Sequence, residues 1–340
     1  MNNSLSKWSN KVILLTGCNG FIGKALLIEL ISIFSRLEES GLTVTHHIYA
    51  IDNGITSRRW SMPLRNYITY YDDNAITFDY AALKRVDIVF HLAGLASPAQ
   101  YKRYPLETID VSVLLTRSLL EASLHWKATF IFFSSSEIYG NPSSDYIPTP
   151  ESYKGYVSCQ GPRSCYDESK RMAETLCYVY KNYFNVDTRV IRPFNIYGPG
   201  MGKYDYRMIP NMMRSIIQGE TIKIYGAGTQ TRTFCFISDA IECILQVATG
   251  GSPGETYNVG NDSPELSMIE LADIAKEILP AQFHYEVVDY PDSYPADEPL
   301  RRCPDITKVK EELGYLPKVS IHSGLRQTYD WCNSVYKSDN

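Results

Sequence analysis

No two of the eight cysteines stand at CxxC spacing, and no cysteine–histidine set has the spacing of a metal site. A structural zinc or an iron–sulfur centre is therefore not expected, and no metal enters the reading. The sequence has no run of about 18 uncharged apolar residues, so no membrane-spanning helix is expected. Its first residues lack an apolar stretch behind a basic patch, which predicts no signal peptide. Basic residues are not in excess: the net charge of −5 gives no electrostatic reason to expect nucleic acid or an anionic membrane as a partner. Internal repeats and low-complexity tracts are lacking too. The cysteines (Cys18, Cys159, Cys165, Cys177, Cys235, Cys243, Cys303 and Cys332) are spread thinly along a long chain, a pattern that predicts reduced thiols and a cytoplasmic protein.

What is there is an ordinary globular composition, 44% hydrophobic and 21% charged over 340 residues, enough for a large core. Short apolar runs alternate with amphipathic stretches. Strands are predicted at 11–16, 47–51, 66–71, 86–90, 129–133 and 188–192, and helices at 21–39, 107–125 and 167–184. This alternation predicts a Rossmann-like, doubly wound α/β fold with a parallel sheet. After about residue 195 glycine, proline and tyrosine are frequent and the elements shorten. The expected division is a domain over 1–194 carrying the catalytic residues, and a smaller, mainly substrate-binding lobe over 195–340. Some of the later segments are free to return to the first domain.

Gly17, Gly20 and Gly23 sit between the first strand and the first helix, with Asn19, Phe21 and Ile22 among them. Glycines there permit a tight turn, close backbone approach to a pyrophosphate and close helix packing, while the helix N-terminus faces the phosphates. A lone glycine pattern is weak; its place after a strand and before a helix strengthens it. Asp52 ends the second strand, where a carboxylate accepts from both ribose hydroxyls and repels a 2′-phosphate, so NAD is favoured over NADP. Its distance from Gly23 exceeds the usual ~20 residues, and the long first helix absorbs the excess. Arg58 and Arg59 are the cations available to a 2′-phosphate. Asn53, Leu92 and Ala93 follow strand ends on the same edge and complete the expected cofactor set.

Tyr166 and Lys170 lie four apart at the start of a predicted helix, which stacks them on one face. An ammonium beside a phenol favours the phenolate and lowers a pKa that starts near 10. Such a tyrosine takes a proton from a sugar hydroxyl as a hydride leaves for the nicotinamide. Ser134, Ser135, Ser136 and Glu137 follow a strand and bring hydroxyls to the same oxygen. A tyrosine–lysine pair at this spacing is common by chance; together with the glycine turn and the strand-end serines it is specific.

The chain resembles the extended short-chain dehydrogenase/reductases that act as nucleotide-sugar epimerases and dehydratases, and among them most of all the UDP-glucuronate decarboxylases (UDP-xylose synthases). The resemblance runs almost end to end, through 17–23, 91–98, 134–140, the long segment GPRSCYDESKR at 161–171, 192–199, 225–234 and 301–306. It implies NAD as a bound, regenerated cofactor and a homodimer packed through helices near 107–125 and 167–184. It implies oxidation of the sugar at C4, loss of carbon dioxide from the resulting β-keto acid, and reduction of the 4-keto pentose. Transferred residue by residue, Tyr166 is the base and Lys170 its partner. Ser135 stands where the family usually has threonine. Ser136 and Glu137 steer decarboxylation and protonation, and Arg302 meets the substrate carboxylate. Arg207 and Arg232 bind diphosphate; Tyr101, Asn195 and Tyr225 contact the UDP-sugar; Asp72 contacts adenine.

Departures stand beside these matches. Gly200 replaces a family arginine, Ser112 a common asparagine, Gly94 and Leu95 a Ser-Pro pair, and Tyr104 an asparagine. They keep a UDP-sugar or UDP-uronate 4-epimerase open as the alternative outcome. A 4,6-dehydratase commonly needs an Asp-Glu pair where this chain has Ser136 and Glu137. A non-catalytic, NAD-binding regulatory relative would have lost the tyrosine, the lysine or the glycine turn, and all three are present.

Overall fold

Parallel strands covered by helices on both faces read as continuous apolar runs, since neither face meets water. Val12–Thr16, the first strand (β1), is buried at every position. Even so, the two-residue period decides which layer each side chain enters. In the computed structural model, which describes residues 3–40, 45–56, 60, 62–205, 207–290 and 299–336, Ile13 and Leu15 join Leu26, Leu30 and Phe34 of the helix Phe21–Glu39. Leu14 points the other way, to Leu115 and Leu119 of the helix Pro105–Trp126. The same alternation splits Ile131 and Phe133 from Phe130 and Phe132.

The remaining strands of this sheet are β2 (His47–Ile51), β3 (Ile68–Tyr71), β4 (Ile88–His91), β5 (Thr129–Phe133), β6 (Thr188–Pro193) and a seventh, Thr256–Val259. Their order is seventh-β6-β5-β4-β1-β2-β3, and every pairing is parallel. The order reverses between β1 and β4, the topological switch point where ligands bind in open α/β sheets. Thr16 ends β1 opposite His91 at the end of β4. The His91 ring is buried between the hydroxyls of Thr16 (3.0 Å) and Thr116 (3.1 Å), and burial pushes its pKa down to about 3. It is a neutral tie beneath the crevice and carries no charge near neutrality.

Element ends differ from the sequence expectation by a few residues. The helix expected at 107 starts at Pro105, a residue suited to a first turn because the amide it lacks would have no partner there. The one expected at 167 starts at Ser164, which puts Tyr166 in the first turn.

The division at 195 does not separate two bodies. The helix Ile237–Gly250 packs on Phe21–Glu39, the strand Thr256–Val259 pairs with β6, and Thr307–Leu313 packs on both. The lobe itself is built, among the described residues, from the helices Met208–Gln218 and Met268–Ile278, part of the helix Ile321–Val335, and three small sheets. In one sheet Thr231–Arg232 pairs with Leu266–Ser267 and with Arg301–Arg302. Asn258, on the seventh strand and fully buried, holds the returning chain: its Nδ2 donates to the carbonyls of Thr149 and Asp305, each at 2.9 Å, and its Oδ1 accepts from the Tyr139 hydroxyl at 2.8 Å.

One buried ion pair fixes the helix Ser164–Phe184 against β6. Arg192 reaches both Glu174 oxygens (3.0 and 2.6 Å), the Tyr139 hydroxyl (2.7 Å) and the Glu151 carbonyl (2.9 Å). Removing one partner strands the other's charge in a dry place. Glu174→Ala is expected to destabilise the fold by about 3–5 kcal/mol, read as a lower urea midpoint. The double change Glu174→Ala with Arg192→Met should recover part of that loss.

Candidate active site

The turn after β1 admits no side chain. Gly17 has a φ of +76°, and a Cβ there would lie 2.6 Å from the Ala93 nitrogen. A Cβ on Gly23 would lie 2.1 Å from the Gly17 carbonyl oxygen. The helix Phe21–Glu39 therefore stands directly on the turn, and its N-cap residue, Gly20, contributes no side-chain cap. The first amides of a helix have no intrahelical acceptor, so this end offers N–H groups to an anion. Asn19 is buried and cross-links the turn: its backbone amide donates to Asp52 Oδ2 at 2.9 Å, and its Nδ2 donates to the Tyr70 hydroxyl at 2.7 Å. The Gly54 amide donates to the other Asp52 oxygen at 2.8 Å.

A cleft runs from this turn across the switch point. Gly17, Gly20, Asp52, Asn53, Leu92 and Ala93 line it, and Asp73 through Ile76 close one side. These residues fit the ribose and pyrophosphate of a dinucleotide. Asp72 is exposed and stands one residue before that wall. Ile55, not singled out in the sequence, also lines the cleft. Phe21 packs across from Gly200, whose φ is +101° and whose Cβ would lie 3.5 Å from the Phe21 ring. Gly200 is thus part of the backbone beside the turn, in a conformation that an arginine adopts only under strain. Arg58 and Arg59 lie outside the described residues.

Tyr166 and Lys170 are both buried on the sheet-facing side of the helix Ser164–Phe184. Lys170 Nζ donates to the Phe133 carbonyl at the end of β5 (2.8 Å) and lies 6.0 Å from the centre of the Tyr166 ring. Burial lowers the lysine to about 8, with Glu174 pulling it back up. Burial also raises the Tyr166 phenol to about 12; its hydrogen bond to Ser135 lowers it, and Glu137 and Asp167 raise it further. The expectation of a lowered phenol pKa is therefore reversed in the chain alone: loss of water and two nearby carboxyls outweigh the Ser135 hydrogen bond and the charge of Arg207. Tyr101 stacks on Tyr166, centroids 5.5 Å apart and planes 18° apart. The Glu137 amide donates to Ser135 Oγ (3.2 Å), which turns that hydroxyl toward the phenol, and Ser136 is buried beside it.

Glu137 and Arg302, 165 residues apart in sequence, meet as a bidentate pair with both contacts at 2.8 Å. Strand alternation explains why Arg302 and not Arg301 enters the site: Arg301 points out to Glu265, while the Arg302 side chain is 11% exposed. Arg163 also holds Glu137, and its Nε approaches Asp167 Oδ2 at 3.5 Å. Burial pushes Asp167 up to about 7, Arg163 pulls it down and Glu137 pushes it up. Neither Arg163 nor Asp167 was singled out in the sequence reading. The signal was there: 163, 166, 167 and 170 share one helix face. A cavity of about 450 Å³ opens beside this cluster, lined by Glu137, Arg163, Asp167, Asn141, Tyr156 and Leu300.

The lobe residues are variously engaged. Asn195 has a φ of +41° and donates from Nδ2 to the Thr233 carbonyl at 2.9 Å. Arg207 pairs with Asp205, and its charge acts on Tyr166. Arg232 is buried, with its guanidinium on the carbonyls of Thr231 (2.8 Å), Pro299 (2.7 Å) and Leu300 (3.2 Å), so it braces the rim of the cavity. Tyr225 stacks with Tyr290 within the lobe, ring centroids 6.4 Å apart. Ser112 is buried beneath the crevice, and its hydroxyl has no partner among the described residues. Among those residues no helix is long and apolar enough to cross a membrane.

Residues 13–260 match the family described as NAD dependent epimerase/dehydratase. UDP-glucuronic acid decarboxylase 5 of Arabidopsis thaliana is 36% identical over 327 residues, covering 96% of this chain and 90% of that protein. UDP-glucuronic acid decarboxylase 1 of Danio rerio is 33% identical, covering 96% and 74%. Among solved structures, the UDP-glucuronic acid 4-epimerase of Bacillus cereus, in complex with UDP-glucuronic acid and NAD, superposes with a TM-score of 0.77 at 26% identity, covering 96% of this chain and all of that one.

The turn makes a direct prediction. Gly23→Ala forces a methyl against the Gly17 carbonyl and is expected to cost about 1–3 kcal/mol, seen as a lower melting temperature. Gly202→Ala, whose added methyl meets nothing within 4 Å, should stay within about 0.5 kcal/mol of the parent.

Proposed function

The chain belongs to the NAD dependent epimerase/dehydratase family, and from that premise we propose that it decarboxylates UDP-glucuronate to UDP-xylose through a 4-keto intermediate. The observation that carries the reading is the Arg302–Glu137 pair beside Tyr166: a guanidinium already in bidentate contact with a carboxylate, next to a buried phenol. The relatives named as decarboxylases, aligned over 96% of the chain, support it.

Bound in the crevice, NAD supplies a reversible redox step, accepting the C4 hydrogen and later returning one. Asp52 takes the adenosine ribose hydroxyls, and the glycine turn with Asn19, Phe21 and Ile22 takes the pyrophosphate. Asn53, Asp72, Leu92 and Ala93 flank the cofactor. Tyr166 accepts the proton of the C4 hydroxyl, with Ser135 holding the same oxygen and Lys170 providing positive charge. For this the phenol must come down from about 12, and a positive charge brought beside it acts in that direction. Arg302 turns its two donors to the substrate carboxylate, a geometry suited to bidentate pairing. With C4 oxidised, the carboxyl is that of a β-keto acid. Its carbon–carbon bond breaks, the electron pair passes to the carbonyl as an enolate, and C5 takes a proton. Ser136 and Glu137 steer that protonation. Arg207 and Arg232 serve the diphosphate; Tyr101, Asn195 and Tyr225 serve the UDP-sugar.

A second reading, 4-epimerisation of the uronate, is favoured by one observation: Gly200 puts no side chain where these decarboxylases usually carry arginine. The structural likeness to a UDP-glucuronic acid 4-epimerase supports it. We also propose a cytoplasmic homodimer. Free cysteines support the compartment. Leu106, Ile109 and Leu114 on one helix and Met172, Tyr178 and Tyr183 on its neighbour are exposed, which supports pairing through these two helices.

Incubation with UDP-glucuronate and NAD is expected to release UDP-xylose and carbon dioxide one for one, with no net NADH. UDP-galacturonate as the product would replace this reading with the second. Tyr166→Phe should lower kcat by roughly 10²–10⁴-fold while leaving NAD binding in place. Light scattering should give twice the chain mass, and Leu114→Asp with Met172→Glu should halve it.

A further inference from the structure

Two carboxyls and two guanidinium groups share the pocket behind Tyr166. Glu137 comes from the turn after β5, Arg302 from the lobe strand, and Arg163 and Asp167 from the start of the helix Ser164–Phe184. The four are unequally committed. Arg302 grips both oxygens of Glu137. Arg163 touches Glu137 and Asp167 together. Asp167 Oδ2 faces Arg163, while Oδ1 is buried with no partner among the described residues. It is the one oxygen of the two carboxyls that can take a proton without giving up a contact.

With both carboxyls ionised the cluster is neutral. A substrate carboxylate that engages Arg302 adds one negative charge to a cluster whose side chains are largely buried, where an uncompensated charge is costly. We propose that Asp167 is a proton-linked positioning residue: it takes up a proton as a C6 carboxylate engages Arg302, and through Arg163 it keeps Glu137 in place once Arg302 has let go. The proposal rests on the uronate reading of the site. Its titration is governed by the groups that face it: Arg163 and Tyr166 on its own helix, Glu137 from the segment after β5, and Arg302 from the lobe. Their balance, with burial foremost, already puts the free carboxyl at about 7. A further anion nearby raises it, so uptake occurs between that value and the higher one of the complex.

The stoichiometry of the reaction agrees. A carboxylate leaves as neutral carbon dioxide, the bonding electron pair becomes the enolate, and C5 gains a proton, so each turnover consumes one proton from solvent. Uptake at the binding step loads that proton in advance. When carbon dioxide has gone and C5 is protonated, Asp167 is again a carboxylate and the cluster is again neutral. A sugar with a neutral C6 brings no charge and draws no proton.

The test is calorimetric titration of the NAD-loaded Tyr166→Phe enzyme, whose turnover is strongly slowed, in two buffers of different ionisation enthalpy. At pH 7.5, UDP-glucuronate should draw in roughly three-quarters of a proton and UDP-glucose none, with the uronate value falling toward zero at pH 6. Adding Asp167→Asn should abolish the uptake and leave the uronate Kd within about threefold. With Tyr166 intact, kcat/KM for UDP-glucuronate should fall above pH 7, and Asp167→Asn should remove that fall, which a merely structural role would leave in place. Equal uptake with the two sugars, or uptake that survives Asp167→Asn, overturns the proposal. The sugar comparison needs no change at position 167. An enzyme that binds UDP-glucose but not UDP-glucuronate overturns the uronate reading itself, and this inference with it.

Discussion

Glu137 sits between guanidinium groups from opposite halves of the chain, Arg163 at the head of a sheet-covering helix and Arg302 on a strand of the lobe. That contact closes the lobe over the sheet edge and at the same time sets the polarity of the site. Its strength comes from where it lies. Charge-assisted, bidentate pairs gain most where water is scarce, and these side chains are between 10% and 20% exposed. Because the pair spans two parts of the fold, an anion that competes for Arg302 acts on the lobe as well as on the chemistry. Arg163, which belongs to the sheet side alone, then decides whether Glu137 stays.

The sheet and its switch point were legible because parallel strands leave a strong mark. Runs such as Val12–Thr16 are apolar throughout, end at glycine or a polar residue, and are separated by helix-period stretches. The glycine turn was legible for a steric reason that the structure makes explicit at Gly17 and Gly23. What was not legible is long-range. Nothing in the local pattern announces that Thr256–Val259 joins β6, because a strand of four residues carries no address. The same holds for Arg232. Its sequence setting resembles that of a diphosphate ligand, and nothing there announces that its guanidinium also reaches the carbonyls of residues 231, 299 and 300. Arg163 and Asp167 differ: they stand at the right helical spacing beside Tyr166 and Lys170, but their partners Glu137 and Arg302 come from distant segments.

The sign of the Tyr166 shift carries a more general lesson. Sequence proximity to lysine suggests an acidified phenol, since an ammonium favours phenolate. In the folded chain the ammonium points to the Phe133 carbonyl, and the two residues share a burial cost that moves them toward their neutral forms, the lysine to about 8 and the tyrosine to about 12. Two groups buried together do not help each other merely by being adjacent. The chain on its own therefore holds Tyr166 as a neutral phenol, and a positive charge beside it would lower its pKa.

The same clamp bears on which outcome the 4-keto sugar meets. Epimerisation at C4 needs the oxidised sugar to turn over so that its other face is presented, and the C6 substituent must travel with it. Decarboxylation needs the opposite: a carboxylate held still, with its breaking bond aligned to the carbonyl system. Arg302 presents two donors to one carboxylate, that of Glu137; turned in the same way to a substrate carboxylate it would resist rotation, because both donors must be released before the ring moves. Gly200 brings no guanidinium to the site, and its positive φ and packing against Phe21 make it part of the wall beside the glycine turn. A guanidinium that holds the travelling carboxylate by two donors is then the larger constraint, and it favours loss of carbon dioxide over inversion.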